Sequence, residues 1–247
     1  MLVLLTSALP GCGGVVIDDD HDDDLGMHDD PIAGPPIACP AGAQMFVHKR
    51  FRHEHEDGWD SEWVPSGDGQ ASVRDHSGLL SADPDGISRL TLNAPLQTTD
   101  VRLRLRFAHD ARQTIVLGLF GSPAEAAPPF GDEGLDLRLS HRPDDAHRVR
   151  WSIHSGESLI GLESPQLDAR DADESFWIRA HIDRGEETAY VAVEAWSARD
   201  PEPDEWRQIT LRDVQESGEL RLAAITHADA RARQTVRIEE LLVCIDR

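Results

Sequence analysis

The stretch from Ser175 to Trp206, SFWIRAHIDRGEETAYVAVEAWSARDPEPDEW, holds the side chains whose types and spacing best suit ligand chemistry. Phe176, Ile178, Ala180 and Ile182 alternate with Trp177, Arg179, His181 and Asp183, and Val191, Val193 and Ala195 alternate with Tyr190, Glu194 and Trp196. Alternation of this kind belongs to strands with one face in a core and one outside. If the two strands pair as a hairpin, the outer face gathers two tryptophans, a tyrosine, an arginine, a histidine and two acids. Sugar recognition uses such sets, with aromatic rings for stacking and planar polar groups for hydrogen bonds. Trp196, Tyr190, Glu194, Trp177, Arg179 and His181 are therefore the candidate ligand residues. The alternating Arg148, Arg150, Ser152 and His154 are expected to extend that face. The competing reading is structural, with the outward aromatics covered by loops.

Other arrangements give less. His53 and His55 could share a strand face, but a metal site built on them needs a third ligand, and surface-loop histidines are the simpler reading. Ser158 lies in Gly156-Glu157-Ser158-Leu159-Ile160-Gly161, one residue too long for a nucleophile elbow. There is no H-E-x-x-H, P-loop or dinucleotide fingerprint. Glu239 and Glu240 are consecutive, so a regular strand would send them to opposite faces. The run DDDHDDDLGMHDD invites a calcium reading. Counting from Asp20, however, the sixth and twelfth positions are Leu25 and Pro31, where an EF-hand loop needs glycine and an acid. No motif supports calcium, another metal or an organic cofactor.

Composition narrows the partners. The 247 residues carry 46 acids against 24 Lys and Arg, a formal charge of -22. That balance excludes nucleic-acid binding by phosphate neutralisation and disfavours docking on anionic lipid through a basic patch. The acidity is uneven. Residues 1–40 hold eight Asp and no Lys or Arg, which leaves 38 acids against 24 bases, or -14, for the remainder. Dense like charge followed by PIAGPPIA reads as an extended spacer, so residues 13–40 are expected to be a disordered tether.

Met1 to Leu9 is too short to span a bilayer but has the length of a signal-peptide apolar region. Leu9-Pro10-Gly11-Cys12 resembles the lipobox of bacterial lipoproteins, which implies lipid attachment at Cys12 after cleavage before it, residues 1–12 forming the signal and lipobox. Pro10 departs from the usual residue at its position, and no Lys or Arg precedes the apolar run. The alternative is an ordinary secretory signal with an incidental cysteine. With Cys12 as anchor, Cys39 and Cys244 are left, either as a bridge in an oxidising compartment or as two free buried thiols.

Residues 41–247 read as strands almost throughout. Val101, Leu103, Leu105 and Phe107 alternate with arginines; Leu135, Leu137 and Leu139 repeat the pattern, as do Val149, Trp151 and Ile153, and Leu220, Leu222 and Ala224. Thr114 to Phe120 and Glu240 to Ile245 read as strands buried on both faces or closing a sheet. Turns are expected at Asp85-Gly86, Arg184-Gly185 and Ser217-Gly218. About a dozen strands and no sustained helical spacing predict an all-β antiparallel sandwich.

Within that pattern, Trp177, Gly185 and Trp206 match the hairpin of concanavalin A-like, or laminin-G-like, jelly-roll domains. Phe51 to Leu80, with Trp59, Trp63 and a short strand ending in Gly78-Leu79-Leu80, is similar to their first segment. TVRIEELLVCID resembles their last strand. The resemblance covers residues 44–246 and implies that the last strand lies beside the first, which is the adjacency a Cys39–Cys244 bridge needs. Glycosidases on this fold carry E-x-D-x-x-E or E-x-D-x-E on one strand; no stretch matches, and Glu54, Glu56 and Asp57 come closest. The expectation is a lipid-anchored, exported module of the bacterial cell envelope that binds a glycan without catalysis. The alternatives are a structural or protein-interaction domain with another envelope protein as partner, and a divergent glycan-processing enzyme.

Overall fold

Strict alternation of apolar and polar residues can be buried only by facing two sheets against each other, and the chain does this. The computed structural model describes residues 38–51, 59, 62–92, 98–108, 112–121, 135–143, 148–155, 158–159, 167–168, 174–184, 188–204, 207–212 and 219–246. The proposed anchor Cys12, the tether up to residue 37, the acids and histidines of residues 53–57, Gly185, Trp206 and the Ser217-Gly218 turn lie outside the described residues.

In chain order the strands are β1 (Ala43–Lys49), β2 (Trp63–Gly67), β3 (Gln70–Arg74), β4 (Ser77–Ala82), β5 (Ile87–Leu92), β6 (Thr98–Arg106), β7 (Gln113–Gly121) and β8 (Leu135–Arg142). They continue as β9 (Arg148–Ser155), β10 (Ser158–Leu159), β11 (Leu167–Asp168), β12 (Ser175–Arg184), β13 (Thr188–Ser197), β14 (Arg207–Arg212), β15 (Glu219–Thr226) and β16 (Gln234–Asp246). The first sheet runs β14-β13-β12-β6-β16-β4-β3, with β1 also on β16; the second runs β10-β9-β8-β7-β15-β5-β2, with β11 also on β9. The pairings are antiparallel. This is the expected jelly-roll sandwich, finer than the dozen strands anticipated. The segment from Phe51 to Leu80, read as a loop and one short strand, forms three: β2 in the second sheet, β3 and β4 in the first.

The core lies between the sheets. Leu103, Leu105, Phe176 and Ile178 of the first sheet and Leu117, Leu137, Leu139 and Ile153 of the second are buried in one cluster. Each such side chain contributes about 1.5–3 kcal/mol relative to exposure. In β7, Val116 is buried as well as Ile115 and Leu117, which matches the expectation of a strand buried on both faces. Pro65 lies in β2, the last strand on its side of the sheet, where a missing N–H breaks no inner ladder.

Two turns show how the strands are joined. The expected turn at Asp85-Gly86 connects β4 of one sheet to β5 of the other. Asp85 takes the left-handed conformation (φ 65°), the Gly86 N–H donates to Asp83 O at 2.8 Å, and Asp68 Oδ1 accepts from the Ile87 N–H at 2.6 Å. Between β3 and β4, Arg74 pairs with Ser77, so Asp75 and His76 alone form the loop, both at positive φ (48° and 55°). That is the conformation of a type I′ turn, built here without the glycine that normally advertises it.

β16 ties the first sheet together. It pairs with β6 along most of its length, with β4 at Gln234–Ile238 and with β1 from Leu241 to Asp246. First and last strands are thus neighbours, and Cys39 and Cys244 are bonded, with Cα atoms 5.7 Å apart. The register slips by one residue between Ile238 and Glu240, so Glu239 is extra. Val236 and Ile238 before the slip, and Leu241 and Val243 after it, all face the core. Glu239 and Glu240 therefore share the outer face. The expectation of opposite faces fails because a bulge resets the two-residue period.

Two substitutions test this account. A Cys39→Ser/Cys244→Ser variant should lose stability, up to about 5 kcal/mol for a loop of this size in the chain-entropy model, read as a lower urea midpoint than the oxidised parent. Gly78→Ala would put a Cβ 2.4 Å from Trp59 Cζ2 and 2.7 Å from Phe51 Cζ. Overpacking that aromatic cluster should cost about 1–3 kcal/mol in thermal unfolding, although Gly78 has an ordinary strand conformation.

Candidate ligand faces

The β12–β13 hairpin forms with the register its alternation requires. Trp177 lies opposite Trp196, Arg179 opposite Glu194, His181 opposite Ala192 and Asp183 opposite Tyr190. All six candidate ligand residues therefore share the outer face of the first sheet, in differing surroundings. The Trp177 and Trp196 rings stack with centroids 6.3 Å apart and planes 22° apart, and the Arg104 guanidinium lies 5.8 Å from the centre of Trp177. Trp196 is only 8% exposed, whereas Tyr190 is 54% exposed. Glu194 is half-buried, and burial pushes its carboxyl pKa up, against the Ala195 N–H and the Arg207 charge, which favour ionisation.

Arg179 and His181 border a buried acid. Asp100, on β6, is fully buried and accepts from Arg179 Nη2 at 2.8 Å and Nε at 3.0 Å, and from Arg102 Nε at 3.0 Å. His181 Nδ1 is 3.5 Å from the same carboxylate, and Arg179 also donates to Glu202. Burial alone would lower the pKa of Arg179, but Asp100 and Glu202 outweigh it and raise it. Arg179 is thereby fixed in the sheet's own charge network.

The same principle runs along the face. Glu239 accepts from Ser175 Oγ at 2.7 Å and lies 2.9 Å from Arg104 Nε and 3.3 Å from Arg106 Nε. Glu240 accepts from His48 Nε2 at 2.8 Å and Arg50 Nε at 2.9 Å; burial raises its pKa, but these two partners prevail and hold it below the ordinary glutamate value. The bulge sets these two carboxylates side by side, and the partners of Glu240 favour its ionised form. A glycosidase pair needs one of its two acids protonated.

Arg148, Arg150, Ser152 and His154 do not extend the hairpin face. They lie on β9 in the second sheet, turned outward on the opposite side of the sandwich. The parity of β9 is as expected; its sheet differs, because hydrophobic alternation carries no information about which sheet a strand joins. That second outer face holds residues the sequence reading did not single out. Asp136 on β8 lies opposite His154 on β9 and opposite Gly118 on β7, and Gly118 lies opposite Arg221 on β15. Arg89 lies opposite Ala223, beside them. Burial raises the pKa of Asp136, although Arg138, Arg221 and Arg89 all pull the other way. The alternation of Asp136 and Arg138 with Leu135, Leu137 and Leu139 was the available signal. Among the described residues, no three His, Cys, Asp or Glu groups gather as a metal site, and no helix is long and apolar enough to cross a membrane.

No protein-family model and no curated protein matches the sequence. Solved structures do match the fold. Peanut lectin superposes with a TM-score of 0.56 at 11% identity, covering 83% of this chain and 97% of the lectin. The catalytic domain of an endo-1,3-β-glucanase (laminarinase) from Thermotoga petrophila gives 0.55 at 12% identity, covering 83% and 98%. The lectin UEA-II, complexed with galactose, gives 0.55 at 8% identity, covering 83% and 100%. The chain has the concanavalin A-like sandwich fold that these lectins and glucanases share.

Asp100→Ala should destabilise by about 3–5 kcal/mol in urea, because two arginines then lose a buried partner. The pH dependences of the two perturbed acids should have opposite signs. Asp136 binds its proton more tightly folded than unfolded, so stability falls as pH rises from the usual aspartate value through the higher native one, and Asp136→Asn should flatten that decline. Glu240 contributes stability above the usual glutamate value and loses it as pH falls through its lower native value, so Glu240→Gln should remove that acid-side loss.

Proposed function

We propose that the chain is a non-catalytic carbohydrate-binding module, held at the bacterial cell envelope by a lipid on Cys12. The observation that carries the reading is the surroundings of Tyr190. Its exposed ring lies between Asp183 on β12 and Thr210 on β14, and one step along β13 the small Ala192 lies between His181 and Gln208. An aromatic ring beside a low step, bordered by a carboxylate, a hydroxyl, an imidazole and an amide, suits a sugar ring that stacks on one face and hydrogen-bonds at its rim. Trp196 and Trp177 form a stacked pair farther along the same face, and Glu194 stands between them and Tyr190. The lectins that share the fold, one of them complexed with galactose, make a sugar the fitting ligand class. His48 and Arg50, which hold Glu240 below the ordinary glutamate value, disfavour its use as a protonated acid and support binding over hydrolysis. Export agrees with the Cys39–Cys244 bridge, which persists in oxidising compartments.

A glycan array probed with the full chain tests the binding. Tyr190→Ala should weaken the best glycan about tenfold, the scale of one lost stacking contact, while leaving the unfolding temperature unchanged. Trp196→Ala should lower stability, since that ring is buried. No glycan bound by the parent chain would leave the sandwich as an interaction scaffold. Mass spectrometry of the mature N-terminus reads the anchor, and an unmodified Cys12 would refute it.

A further inference from the structure

β1 is fastened unevenly along its length. At its far end Val47 is buried in the core, His48 and the adjoining Arg50 bond Glu240 of β16, and Phe51 is buried against Trp59. At its entry end Gln44 and Met45 are exposed. Among the described residues β16 is the only strand that pairs with β1, and the ladder starts with Ala43 opposite Asp246. Edges and termini open locally at far lower free energy than the core. A pull on the chain before Ala43 would therefore part Ala43 from Asp246 first and run toward Lys49 one pair at a time.

The disulfide stands at this weak point. Cys39 precedes the turn into β1, in which the Ala43 N–H donates to Pro40 O at 3.1 Å and Gly42 takes a positive φ of 93°. Its partner Cys244 lies in β16, opposite Met45 of β1 on one side and Asp100 of β6 on the other. β6 pairs with β16 from Arg237 to Ile245, and Leu241 and Val243 of β16 sit in the core. A load arriving at Cys39 thus passes through the two sulfur atoms into a strand held on both sides, and Pro40 to Lys49 carry none of it. A bridge from Cys244 to a residue within β1 would close a loop of nearly the same size, with nearly the same entropic stabilisation. It would still leave the Ala43 end under load. Forced unfolding is governed by the unfolding rate rather than by equilibrium stability, so the position of the crosslink matters as well as the loop it closes.

We propose that the Cys39–Cys244 bridge is a mechanical clip: it delivers tension on the N-terminal segment directly to β16 and keeps β1 from peeling away while the domain holds a ligand. The inference rests on the anchor reading, in which the residues before Cys39 tie the domain to a membrane and a bound glycan pulls from the β12–β13 hairpin. In the first sheet β13, β12, β6 and β16 are successive neighbours. The path of tension from the hairpin to the anchor then crosses paired strands and the disulfide without passing through β1.

Magnetic tweezers on the full chain test the clip. One handle is placed at the N-terminus and the other on an azide-bearing residue that replaces the exposed Asp204, between β13 and β14. The oxidised parent should keep β1 in place up to the force that unfolds the domain. Cys39→Ser/Cys244→Ser should add an earlier step at lower force, lengthening the molecule by up to about 40 Å, the reach of Cys39 to Lys49 when extended. Reducing the parent's bridge with a phosphine, below the force that unfolds it, should produce the same step and covers the case of a variant that does not fold. The inference is overturned if the variant or the reduced parent unfolds in a single step at lower force, which would leave the bridge a general stabiliser only. An early step in the oxidised parent would overturn it as well. Because tension is applied to the chain itself, the outcome is independent of lipid on Cys12, which mass spectrometry of the N-terminus reads separately.

Discussion

One extra residue in β16 sets much of the rest. Without the bulge at Glu239, the alternation that buries Val236 and Ile238 would continue through Glu240 and turn Leu241 and Val243 out of the core. With it, both apolar pairs face inward and two consecutive glutamates stand on the outer face. There they pair with the arginines of β6 on one side and with His48 and Arg50, at the end of β1, on the other. The same strand then brings Cys244 opposite Asp100 and within bonding distance of Cys39. Core, charge network and covalent closure of the first sheet all depend on that shift of register.

Burial then decides what the outward residues can do. Asp100 could not remain charged and fully buried without Arg179 and Arg102, so the hairpin arginine that looked suited to ligand binding is committed to structure. Trp196 is largely withdrawn from solvent by the packing around its pair with Trp177. Tyr190, two strand steps beyond Glu194 and opposite the exposed Asp183, keeps its ring accessible. The hairpin face therefore grades from structural at its Trp end to open at its Tyr end.

The net charge of -22 resolves into distinct parts. The eight aspartates of residues 1–40 belong to the stretch read as a tether. On the domain, Asp100 and Glu239 pair with arginines of the first sheet, and the buried Asp136 of the second lies by Arg138. The distribution of charge over the sheets is a property that no single strand reveals.

Features that depend on neighbouring residues were legible in the order of the amino acids. Alternation in β6, β8, β12, β13 and β15 set which side chains face inward, and the parity of Phe176 to Ala195 predicted that Trp177 and Trp196 share a face; the register that sets them opposite each other came from the structure. The Asp85-Gly86 turn was legible because its residue types report a backbone conformation; the Asp75-His76 turn was not, because no glycine marks it. Which sheet each strand joined, where the period slipped at Glu239 and which outward side chains were covered became visible in the folded chain alone. Those outcomes rest on contacts between residues far apart in the chain: β9 sits in the second sheet because it pairs with β8, and Arg179 is engaged because Asp100 lies across the sheet. Periodicity fixes the face of a strand, whereas long-range pairing and burial fix its neighbours, and the chemistry of a site belongs to the neighbours.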